Sequence, residues 1–220
     1  MTLPDSKSST ENTPRTKLFT SLGYREYRLF WLGGAFSNIG MWALIYGRLW
    51  LMHDLTDSPF MLGVVTASSL GPVLLLSLWG GVVADRVNRL RLVTTTRGMF
   101  AGLALLTSAL IATDVIQPWH LIAISLATGV LLSFDIPSRQ AMLPNLVAEH
   151  HLVNAIALYS FLSAGSAIIG PGFFAPLVNF WGLQTLFFLI GMAYVLTVAM
   201  LLMMKPLPQK PSPSKGWLWR

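Results

Sequence analysis

Six apolar runs, each about 20 residues long, limit what this chain can fold into more than any other feature of it. A helix needs about 20 residues to cross the ~30 Å of hydrocarbon in a bilayer. The runs fall at about 29–52, 60–84, 92–113, 119–136, 154–176 and 183–204. Backbone groups in lipid have no water to bond, so a run of this length must satisfy them internally, as a helix. None of the runs shows the alternating ten-residue pattern of a membrane barrel strand. The expected fold is therefore all-α and integral to a membrane, with six transmembrane helices. Charged residues make up only 11% of the chain, against roughly 25% in soluble domains.

The placement of charge orients the helices. Lys7, Arg15, Lys17, Arg25 and Arg28 precede the first run. Arg86, Arg89 and Arg91 lie between the second and third, with Arg97 just inside the third. Arg139 follows the fourth, and Lys205, Lys210, Lys215 and Arg220 follow the sixth. With six crossings all of these fall on one side. The opposite connections, about 53–59, 114–118 and 177–182, carry only Asp54, Asp57 and Asp114 as charges. Arg48 alone stands apart. Basic residues collect on the cytoplasmic side of membrane proteins, so both termini are expected in the cytoplasm, at the cell (inner) membrane. The net charge of +6 then reflects orientation and a lipid bilayer, not nucleic acid. Residues 1–28 read as a cytoplasmic tail with an amphipathic lead-in, "LFTSLGYREYRLF". Residues 29–204 form the bundle, and residues 205–220 a proline-rich cytoplasmic linker that is cut short. Trp50, Trp119 and Trp181 at the outer boundaries, and Tyr24, Tyr27 and Trp217 at the inner, fit interfacial anchoring.

Three stretches carry more than topology. In "GGVVADRVNRLR", Gly80 and Gly81 allow close helix approach, and Asp85 can pair with a nearby arginine. A loop that only fixes topology explains the same residues equally well. In "FDIPSRQAMLPNLV", Pro137 is expected to end the fourth span, and Asp135 and Arg139, four apart, can face one another at the rim. In "SAGSAIIGPGFFAP", Ser163, Ala167, Pro171 and Ala175 make a small-residue face for packing. Gly170-Pro171 in mid-span permits a kink. Within the first span, Arg48 either lines a cavity or reaches up to the headgroups. Asn38 either lines a solute path or bonds to a neighbouring helix. No Asp or Glu lies deep in a run; Asp85 and Asp135 sit at the rim. His53, His120, His150 and His151 lie near loops, and there is no cysteine. Neither a nucleophile with its base, nor a phosphate loop, nor metal-ligand spacing is present. An enzyme, a resident cofactor and a metal site are therefore not expected.

The spacing Gly81-x-x-x-Asp85-Arg86-x-Asn88-Arg89-x-Arg91 between a second and third span resembles the loop signature of the major facilitator superfamily, with Asn88 where that family usually has Gly. "PSRQAMLPNLV" resembles a segment of its drug and siderophore exporter branch, as does "LTDSPFMLGVV" at the entry to span two. Gly165 and Gly170-Pro171 resemble the span-five motif linked with its antiporters, the following glycine being blurred to "GFF". The resemblance implies one half of the major facilitator fold, a 3+3 inverted repeat, with spans one and four lining the solute path. It implies a cytoplasmic gate built from Gly81, Asp85, Arg86, Asn88, Arg89, Arg91, Asp135 and Arg139, with Arg139 pairing to Asp85. It also implies proton-coupled efflux of small amphipathic molecules. The superfamily needs twelve spans, and six are present. The chain is then expected to work with a second six-helix half or another copy of itself; alternatively it is a truncated, non-transporting membrane protein that acts as an interaction partner.

Overall fold

The computed structural model describes residues 20–205, without the side chains of residues 173–175. The remainder of the tail (1–19) and of the linker (206–220) lies outside the described residues. A 3-10 turn at Thr20–Gly23 leads into α1 (Arg25–Thr56), followed by α2 (Pro59–Arg86), α3 (Arg89–Ala112), α4 (Pro118–Met142) and α5 (Leu152–Leu202). The last element holds two spans. Its backbone leaves the helical region at Gly182 (φ 76°, ψ 169°), a left-handed conformation open to glycine. Gly34 packs against Tyr159 and Leu162, while Gly40 packs against Ile190 and Tyr194 and Gly33 against Thr197. Span five thus climbs along α1 and span six descends along it. Among the described residues, six helices long and apolar enough to cross a membrane result.

Two expected helix ends are corrected. Span four does not stop at Pro137 but continues to Met142. Pro137 lacks an N–H, which leaves the Ser133 carbonyl without its usual donor one turn back. That carbonyl is where α2 comes closest: a methyl group built on Gly80 would sit 1.9 Å from Ser133 O. The proline therefore frees an acceptor at a helix contact and leaves the helix intact. Likewise span five, expected to end near 176, keeps helical dihedrals through Gly170 and Pro171 and on to Gly182.

Lipid tails are as apolar as leucine, so these helices associate through close packing of small residues and buried hydrogen bonds, without a hydrophobic drive between them. The α2–α4 contact is reciprocal. Gly80 of α2 meets Ser133 O of α4, and Gly129 of α4 meets Ser69 O of α2, where an added methyl would sit 2.2 Å away. Ser133 Oγ crosses the same interface to donate to Pro72 O (3.0 Å). Gly81 takes no part; nothing lies within 4 Å of a methyl built there. The contact between span five and α1 has the same form. A methyl on Gly170 would sit 2.6 Å from Trp42 Cβ and 3.2 Å from Ile39 O. If spans one to three correspond to spans four to six, the α2–α4 and span five–α1 contacts are one contact made twice, as an inverted repeat requires.

Replacing Gly170 by alanine is expected to push span five off α1, because Trp42 Cβ is too close to its own backbone to yield. The cost is about 1–3 kcal/mol, read as a lower thermal midpoint of the chain in detergent. Gly165→Ala, which meets nothing within 4 Å, is expected to leave that midpoint unchanged or higher.

α2 is the helix least covered by the bundle. Leu74 is 79% and Leu78 81% exposed, and Leu75 and Trp79 share their outward face. By contrast, Tyr27, expected at the interface, is fully buried and donates to Ala155 O (2.9 Å). Trp50, Trp119 and Trp181 are exposed near helix ends.

Candidate functional site

The loop after α2 is fastened by Arg89. Its Nη2 donates to Asp85 Oδ1 (3.0 Å) and its Nη1 to Ala141 O (2.9 Å), a carbonyl in the last turn of α4. Asn88 caps α3 by accepting from Arg91 N (3.1 Å). Its φ of −66° is an ordinary extended value, so the glycine usual at this position is not needed here. Arg86 and Arg91 are exposed. The expected Arg139–Asp85 pair is absent. Asp85 is taken by Arg89, and Arg139 points into the bundle.

There Arg139 belongs to a second, buried network. Asp135 is fully buried within the bundle. Its Oδ2 takes Arg97 Nη2 at 3.0 Å and lies 2.8 Å from Arg139 Nε, the latter too oblique for a hydrogen bond. Thr96 Oγ1 donates to its other oxygen (3.0 Å). Arg139 Nη1 also donates to Tyr159 OH and, at 3.4 Å, to Asn38 Oδ1. The Arg97 guanidinium lies 5.6 Å from the centroid of the Tyr194 ring, within cation–π range, and that ring stacks on Phe100. Helices α1, α3, α4 and both arms of α5 therefore meet on one charge cluster. Asp135 and Arg139 face one another because they are four apart on one helix.

Asn38 and Arg139 also line a cleft of about 300 Å³ between α1, α4 and span five. Met41, Trp42, Ile45 and Ile136 form its apolar walls, and Gln140, Tyr159 and Ser163 add polar groups. Asn38 bonds to a neighbouring helix, one of the two readings open for it, and it also borders this cleft. Arg48 is resolved in the inward direction. Its side chain is buried, with Nη1 donating to Ser125 Oγ on α4 (3.2 Å) and Nε to Leu44 O (3.3 Å). It does not reach for the headgroups. Gly170 sits at the α1 contact beside Trp42, while a methyl built on Gly165 would meet nothing within 4 Å.

Sequence reasoning placed Arg97 among the topological charges. It is instead 1% exposed in the core, and the available signal was an arginine alone in an apolar run. Tyr159, Tyr194, Thr96 and Ser125 carried no such signal, since only the fold brings them to the arginines. Among the described residues no group of His, Cys, Asp or Glu could hold a metal ion.

A six-helix body with reciprocal small-residue contacts, a clasped α2–α3 loop and an interior charge cluster has the architecture of half the major facilitator fold. The chain belongs to the transmembrane secretion effector family, which matches residues 16–215; that family is one of transporters and not of enzymes. The chain is 27% identical over 165 residues to the staphyloferrin A transporter of Staphylococcus aureus (strain NCTC 8325 / PS 47), an overlap covering 74% of this chain and 42% of that protein. It is 25% identical over 166 residues to the MFS-type transporter YfiS of Bacillus subtilis (strain 168), covering 75% of this chain and 39% of that protein. The chain thus spans about two fifths of the length of these relatives. No solved structure matches it.

Proposed function

We propose that the chain is the amino-terminal half of a secondary transporter that exports small amphipathic molecules, coupled to protons as an antiporter, from the cytoplasm across the cell (inner) membrane. The observation that carries this reading is the cleft between α1, α4 and span five, apolar on most sides and bordered by Asn38, Arg139 and Tyr159. A pocket with apolar walls and a few convergent polar groups suits an amphipathic solute. Both termini face the cytoplasm in this reading, because the basic ends would otherwise have to cross. The residues of the Asp85–Arg89 clasp and of the Asp135 cluster form the cytoplasmic gate, and Gly165, Gly170 and Pro171 the seam along which span five moves. Alternating access is the rocking of one six-helix half against another. The exposed leucines of α2 suit a surface that a second half, or another copy of this chain, covers. The relative named for staphyloferrin A supports a solute of siderophore type.

The test uses inverted membrane vesicles from cells making the chain together with a carboxy-terminal six-helix half. Accumulation of an anionic or a cationic fluorescent amphipathic dye is followed under a proton gradient. Dye is expected to accumulate, and a protonophore to abolish the accumulation. If neither dye exceeds the level in vesicles lacking the chain, the transport reading fails and the chain is a membrane interaction partner.

A further inference from the structure

The interior of the bundle carries more positive charge than it neutralises. Arg97 and Arg139 share one carboxylate, that of Asp135. Arg48, also buried, is bonded only to a hydroxyl and a carbonyl, and no ion pair among the described residues includes it. An amine relieves such a surplus by giving up its proton, but arginine stays charged. An unpaired buried ion costs several kcal/mol, so an interior of this kind favours an anion.

The hydrogen bonds point the same way. Asn38 Nδ2, in the cleft wall, is a buried nitrogen with no hydrogen-bond partner, and it donates without accepting. Asn38 cannot correct this by turning its amide over. Its oxygen faces Arg139 Nη1 at 3.4 Å, and the reversed amide would set donor against donor. This donor and the Arg139 guanidinium, which shares its carboxylate with Arg97, meet at the end of the cleft beside Tyr159. The remaining walls, Met41, Trp42, Ile45 and Ile136, suit an apolar body.

We propose that the cleft binds an amphipathic organic anion, whose carboxylate pairs with Arg139 and accepts from Asn38 while its apolar body lies against Trp42 and Ile136. The proposal rests on the reading of this cleft as the solute site and assigns it a charge class. Arg97 is a positioning residue: it holds Asp135, so that the Arg139 guanidinium is only partly neutralised and retains attraction for an incoming carboxylate.

The test is isothermal titration of the purified chain in nanodiscs of zwitterionic lipid, with three small aromatic probes. Salicylate carries the carboxylate, salicylamide is its neutral counterpart, and benzylamine is a cation of similar size. Salicylate is expected to bind at least tenfold more tightly than either of the others. Arg139→Gln is expected to abolish that preference and Arg139→Lys to keep part of it. Asn38→Leu, which leaves every charge in place, is expected to weaken salicylate several-fold and salicylamide little. It keeps the test decisive if Arg139→Gln fails to fold. Equal binding of salicylamide or benzylamine, no binding of salicylate, or a preference that survives both Arg139→Gln and Asn38→Leu each overturns the proposal. Failure here is separable from failure of the transport reading. Vesicles that accumulate dye without an anion preference leave transport standing and remove the anion site. Selective salicylate binding with no dye accumulation does the reverse.

Discussion

Asp135→Asn is expected to cost the chain about 3–5 kcal/mol of stability, the range for removing one partner of a buried ion pair. Two guanidiniums depend on this one carboxylate, Arg97 with a side chain 1% exposed and Arg139 with one 11% exposed. The neutral amide would leave both buried without a counter-ion. Both guanidiniums face the same oxygen, Oδ2, while Thr96 faces the other. An asparagine can keep its one acceptor there and turn its NH2 to Thr96 Oγ1, so what is lost is the charge. The measurement is the yield of monodisperse protein and its thermal midpoint in detergent. Asp85→Asn is the matched control. It removes a carboxylate from a pair whose side chains are 59% and 26% exposed, and such pairs contribute at most about 1 kcal/mol. If the two variants melt together, the buried cluster does not hold the helices in the way described.

Gly80→Ala is expected to be as damaging, through sterics alone. The new methyl would meet Ser133 O at 1.9 Å, a backbone atom that cannot swing aside as a side-chain tip can. Helices α2 and α4 would have to separate, breaking the Ser133–Pro72 bond and opening the facing Gly129 contact. Overpacking usually costs ~1–3 kcal/mol; a backbone clash at a two-sided contact belongs at the top of that range or above it. Gly81→Ala, one residue away and facing open space, is expected to be neutral or to stabilise the helix by roughly 0.5–1 kcal/mol. The comparison is read in the same melting experiment. Equal midpoints for the two variants would remove the reciprocal contact from the account of how these helices associate.

The six spans were legible because the signal is coarse: lipid demands about 20 apolar residues and a helix supplies them. The observed helices begin and end within a few residues of the apolar runs except at the end of span five, which runs on to Gly182, and at Pro137, where proline read as a stop is carried inside the helix. The latter was not legible, because its explanation, the approach of Gly80, comes from 57 positions away in the chain. The same distance limits hid the site. Asp135 and Arg139 could be matched by their i,i+4 spacing, a local rule. The preference of Asp85 for Arg89 obeys that rule too, and it displaced the long-range pairing that resemblance implied for Arg139. Arg97, Tyr159 and Tyr194 join the cluster only by tertiary packing. Charges near the ends of apolar runs read first as topology, so Arg97 and Arg139 were counted on the loop side although both project inward.

The reversal at Gly182 has a mechanical consequence. A single residue joins spans five and six, so at that end the two helices cannot part; they can open only at the other, as the blades of tweezers do. The open end is held by the first turns of α1. Tyr27 reaches the Ala155 carbonyl on one blade (2.9 Å), while Arg25 reaches the Met203 carbonyl (3.2 Å) and Glu26 the Lys205 amide (3.0 Å) at the tip of the other. Three consecutive residues, Arg25 to Tyr27, thus act as a collar around the tips. Any widening between Tyr159 and Tyr194, which hang from opposite blades beside Arg139 and Arg97, must first slip that collar.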